Sequence, residues 1–103
     1  MFTHCVFFWL KDGASTNEIA DFERGLSTLP GIPGVLHGTF GVPAPSERPV
    51  VESSYSYALM LRFHDSAAHD AYQIHRIHQA FLEGCSKYWT KVVVYDFIPP
   101  PEL

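Results

Sequence analysis

Six histidines in 103 residues are the first sign of chemistry in this sequence. His4 lies in an apolar run with Phe2, Val6 and Phe8 on its own side, so its imidazole needs a hydrogen-bond partner or a cavity. Without one, burial costs about 1–3 kcal/mol. His75 and His78 are three positions apart in a helical stretch and so share part of one face. A neutral imidazole near pH 7 can take a proton from carbon beside a carbonyl, and a phenol can donate to the enolate oxygen that develops. That chemistry needs no cofactor, and none is expected.

Competing chemistries fare worse. A zinc site on His75 and His78 lacks a third ligand at helical spacing, so no metal is expected. Cys5 sits inside an apolar strand and Cys85 at a helix end, neither beside an activating partner. Gly31-Ile32-Pro33-Gly34 has neither the spacing nor the lysine of a phosphate cradle. With no apparent leader, the two thiols read as reduced and the chain as cytoplasmic.

The elements that position these groups are legible in turn. Phe2 to Leu10 reads as a strand that is apolar on both faces. Ser15-Thr16-Asn17-Glu18 is a capping box opening a helix to about Thr28, with Ile19, Phe22, Leu26 and Leu29 at helical spacing. Val35 to Val42 reads as a weaker strand with a bulge at Gly38 or Gly41, and Pro43 to Pro49 as a polar loop. Tyr55 to Phe63 alternates as a third strand, with Tyr55, Tyr57, Leu59, Leu61 and Phe63 on one face. Asp65-Ser66 caps a second helix that reads as continuous to Gly84, its stripe formed by Ala67, Ala71, Ile74, His78, Phe81 and Leu82. Val92 to Ile98 is the last strand, ended by three prolines. The order β-α-β-β-α-β predicts an α+β, ferredoxin-like sandwich in one domain over residues 1–103.

Composition bears on partners. A formal charge of −4 with scattered basic residues argues against nucleic acid or an anionic membrane surface as partner. Apolar residues make up 47% and charged ones 17%, more greasy surface than so small a core hides. Helices cover one sheet face; the other, with Cys5, Phe7, Trp9, Met60, Val93 and Tyr95, predicts a homodimer closed face to face.

Several segments together resemble the stress-responsive dimeric α/β-barrel (Dabb) domain family. They are His4-Cys5-Val6-Phe7-Phe8-Trp9-Leu10-Lys11, Leu29-Pro30-Gly31-Ile32-Pro33-Gly34-Val35, Tyr55 with Ala58-Leu59, Tyr72-x-x-His75-x-x-His78-x-x-Phe81, and Val94-Tyr95-Asp96-Phe97. The resemblance implies a dimeric barrel and, by the family's polyketide cyclase, a catalytic pair of Tyr72 and His78. It places His4, Tyr57, His75 and Phe81 around a small apolar, oxygenated substrate. Arg76 stands where relatives often have proline, and Tyr57 where the cyclase has histidine. The expected function is small-molecule binding with cyclase- or lyase-type proton transfer. The alternatives are a non-catalytic stress or assembly protein, with His75 merely packing the helix at a local break, and a cofactor-free monooxygenase.

Overall fold

Strand β1, Phe2–Leu10, is long, β-branched and aromatic, and takes the middle of a four-stranded antiparallel sheet. The computed structural model describes residues 1–101. Strands β2 (Val35–Gly41), β3 (Tyr57–Phe63) and β4 (Trp89–Phe97) complete the order β2-β3-β1-β4. Helix α1 is Thr16–Thr28, and the second helical stretch is two helices, α2 (Ser66–Gln73) and α3 (Arg76–Cys85). The fold is the expected ferredoxin-like α+β sandwich.

Local chemistry sets the ends of these elements. Ser15 caps α1 and its box with Glu18 is complete in both directions. The Asp65 carboxylate accepts from the Ala68 N–H at 2.9 Å and starts α2. Alternation then fixes the core: Val6 and Phe8 from β1, with Tyr57, Leu59, Leu61 and Phe63 from β3, bury against Phe22, Leu26, Leu29, Ile32 and Phe81. Each such side chain contributes about 1.5–3 kcal/mol by leaving water. No helix among the described residues is long and apolar enough to cross a membrane.

Several details depart from the sequence reading. The bulge in β2 lies between Val35 and His37, and Gly38 instead permits close approach. A Cβ there would stand 2.6 Å from Leu61 Cδ2 and 2.9 Å from Pro30 Cβ. Tyr55 lies outside β3 and turns to the opposite side of the sheet, its ring 5.0 Å from that of Phe7. Strand β4 starts at Trp89, three residues early, because Leu10 at the far end of β1 supplies it a partner across a second bulge.

The largest departure is the break between α2 and α3. Ile74 (φ −101°, ψ 0°) and His75 (φ −67°, ψ 143°) leave the helical region, and the chain restarts at Arg76. The freed backbone groups find partners. His75 Nδ1 accepts from the Ile77 N–H at 3.1 Å, and the Gln79 side-chain amide donates to the Ile74 carbonyl at 3.2 Å. The helix runs one residue past Gly84, and the stripe expected of a continuous helix is rotated. Ala67 and Ala71 are exposed and Ile74 is 74% exposed, while His69 and Tyr72 are buried.

Candidate functional site

The break in the helix decides what faces the sheet. Residues six apart on one continuous helix differ by about 120° in direction at 3.6 residues per turn, so Tyr72 and His78 would diverge. Carried on either side of the break, they meet with ring centroids 4.8 Å apart. Tyr72 is 1% exposed and packs against Phe63, with His4 across from it at 5.9 Å between rings.

These groups border a cavity of about 250 Å³ between the sheet and α2–α3. Its polar lining is His4, Tyr72, Gln73 and His78; its walls are apolar, with Phe8, Leu59, Phe81 and Trp89 among them. Val92 and Val94 on the edge strand β4 close one side and stay 36% and 46% exposed, so the cavity meets solvent there. Tyr57 and His75 do not line it. The Tyr57 hydroxyl donates to Glu23 of α1 at 2.5 Å, and that burial and bond push the phenol up to about 12. His75 spends its Nδ1 on capping α3.

Two further residues join the site. In the β1–β4 register His4 stands opposite Asp96, and its Nδ1 donates to Asp96 Oδ1 at 2.5 Å. That bond fixes the tautomer and leaves Nε2 as the acceptor. His69, buried on α2, places its ring 4.8 Å from that of His4 and stacks on Phe2 at 4.5 Å. The three offer donor atoms within 4.8 Å of one another, so the groups that converge as metal ligands would are these and not His75 with His78.

Burial sets the charge states. Desolvation holds the His4 imidazole below its ordinary value despite the opposing pull of Asp96, so the pair is a neutral ring donating to a carboxylate. His78 is lowered first by desolvation and then by His4, against a weaker opposing effect of the Gln73 carbonyl, and its Nδ1 is buried with no hydrogen-bond partner among the described residues. Burial pushes the Tyr72 phenol upward, which keeps it a proton donor.

A pH dependence follows. Unfolded histidine titrates near 6.5, whereas folded His4 and His78 resist protonation, so below that pH the unfolded chain binds more protons. Their contribution is complete above about pH 6.5 and is lost as pH falls from there through the folded values. Urea unfolding at pH 7.5, 6.5 and 5.5 is expected to show stability declining toward 5.5, with a smaller decline in His78→Gln. Equal stability at all three values contradicts the assignment.

The stress-responsive A/B-barrel domain model matches residues 2–99, nearly the whole chain. The chain belongs to that family. No curated protein matches it significantly in sequence. Among solved structures, this A/B-barrel domain resembles a ferredoxin-like Dabb-family protein from Mesorhizobium loti, at 26% identity and TM-score 0.78, over 97% of each chain. A dimeric ferredoxin-like protein of unknown function from Thermobifida fusca is 23% identical, at TM-score 0.76, over 93% of this chain and 88% of that one. The hydroxynitrile lyase of Passiflora edulis is 21% identical, at TM-score 0.77, over 99% of this chain and 95% of that one. Arg76 is the first residue of α3, a position at which a proline, as the resemblance implies there, would lose nothing by its missing N–H.

Proposed function

We propose that this chain forms a homodimer and binds a small, apolar, oxygen-bearing molecule in the cavity beneath α2 and α3, moving a proton on it in a cofactor-independent lyase or cyclase step. The observation that carries this is the Tyr72–His78 pair: a phenol and an imidazole whose Nδ1 has no partner among the described residues, 4.8 Å apart between rings, on a cavity with largely apolar walls. An orphaned buried ring nitrogen costs about 1–3 kcal/mol, which a ligand's hydrogen bond would recover.

His78 serves as the base because desolvation keeps it neutral, and Tyr72 donates to the oxygen on which charge develops. His4, oriented by Asp96, is a second acceptor in the same space. The volume lies just under the ~300 Å³ at which ligand pockets commonly begin, which favours a compact substrate. Dimeric relatives and a lyase of the same fold support the reading.

A thermal-shift screen of phenolic, polyketide-like and fatty-acyl compounds tests it. A ligand at a hundred times its dissociation constant adds about 2.7 kcal/mol to wild type. That gain is expected to vanish in His78→Ala. With a turned-over compound, Tyr72→Phe is expected to keep binding and lose about 10²–10⁴ in rate. Unchanged binding and turnover in both variants would remove the pair from the mechanism.

A further inference from the structure

His4, His69 and Asp96 come from three elements remote in sequence. β1 and β4 pair so that His4 faces Asp96, and α2 lays the His69 ring against that of His4 at 4.8 Å. We infer that these three side chains form a binding site for a first-row divalent cation such as Zn²⁺. Two imidazoles and one carboxylate are a donor set that zinc and its neighbours take, with a fourth position left for water or a ligand.

The distances suit an ion. Bonds of about 2.0–2.2 Å in tetrahedral geometry set donor atoms about 3.3–3.6 Å apart. Here His4 Nδ1 and Asp96 Oδ1 are 2.5 Å apart and all three donors lie within 4.8 Å, so the present spacing brackets the bound one. The ion would replace the proton that His4 gives to Asp96, that proton passing to Nε2 of the same ring. Asp96 is the member with room to adjust: it is the last residue but one of an edge strand and its side chain is 36% exposed.

The imidazoles are already held. His4 is 3% and His69 9% exposed, which removes most of the competition from water. Phe2 stacks on the His69 ring, the Asp70 carboxylate stands 3.4 Å from its Nδ1, and the Gln73 amide lies 3.0 Å from its Nε2, so the ion would displace one of these two partners and leave the other on the far nitrogen. Partners on the far nitrogen of a ligating histidine orient the ring and raise its basicity. Of the three ligands only His4 lines the cavity, so the site adjoins it, and the inference stands without the lyase reading.

Untagged protein stripped with chelator, then titrated with Zn²⁺ by calorimetry and with Co²⁺ by visible absorption, tests the site. One ion per chain is expected, with micromolar or tighter affinity and the absorption of low-coordinate Co²⁺. His69→Gln and Asp96→Asn are each expected to weaken binding at least tenfold while keeping the wild-type circular dichroism spectrum. His75→Ala and His37→Ala, outside the cluster, are expected to bind as wild type. No saturable binding by wild type, or binding that His75→Ala or His37→Ala abolishes while His69→Gln retains it, overturns the inference.

Discussion

A Tyr95→Asp chain is expected to sediment at the 11.6 kDa of one copy where wild type sediments at twice that mass. The sheet face away from the helices carries Cys5, Phe7, Trp9 and Val93 half-buried, with Tyr95 63% and Phe97 58% exposed. Phe7 gathers the rings of Tyr55 and Tyr95 edge-on at 5.0 and 6.0 Å, and Lys91 lies over Trp9 at 4.6 Å. A surface of that composition suits a second copy of itself, and an unpaired carboxylate buried in it costs several kcal/mol. A loss of about 2.7 kcal/mol already weakens association a hundredfold. In the single chain Tyr95 is largely in water, so the same change should leave intrinsic folding within about 0.5 kcal/mol. Sedimentation equilibrium at micromolar concentration decides it; one mass for both proteins, whichever it is, defeats the expectation.

Phe22→Ala is expected to cost about 3–5 kcal/mol, a large part of the about 5–15 kcal/mol that holds a small domain together. Phe22 is wholly buried on α1, its ring 5.2 Å from Phe8, 5.3 Å from Tyr57 and 6.0 Å from Phe81. Those neighbours belong to β1, β3 and α3, so the hole would open where three elements meet and none can close it alone. At about 4–8 °C per kcal/mol, the melting midpoint is expected to fall by more than about 12 °C. Urea unfolding of the two proteins gives the difference directly, and a loss below about 1.5 kcal/mol would mean that the core collapses around the missing ring. Phe8 and Phe81 also border the cavity, so the hole would open beside its wall.

What the sequence makes legible is what depends on neighbours along the chain. Ser15 with Glu18, the two-faced apolar run of β1 and the alternation from Tyr57 to Phe63 each specify their element locally, and together they specify the topology. His4, Tyr72, His78 and Phe81 all line the one cavity. The rest depends on distant contacts. Asp96 reaches His4 only through strand pairing across 92 positions, and no spacing rule marks it. His69 lies off the stripe of a helix continuous to Gly84, and the break at Ile74 and His75 gives α2 another phase. The proline that the resemblance implies at position 76 is the available signal, since proline is favoured at the first position of a helix. Tyr57 shares the buried face of β3 with Leu59, yet Glu23 on α1 captures its hydroxyl first.

The exposed valines of β4 have a kinetic consequence. Val92 and Val94 close the cavity from a strand whose backbone is laddered to β1, so the way in passes side chains and not a segment that must unfold. Rotamer changes at such positions take picoseconds to nanoseconds, far faster than encounter with a dilute ligand. Association is then expected to be a single step linear in ligand concentration, without the plateau that a slow gate imposes. Differences in affinity among ligands would appear almost entirely as differences in residence time.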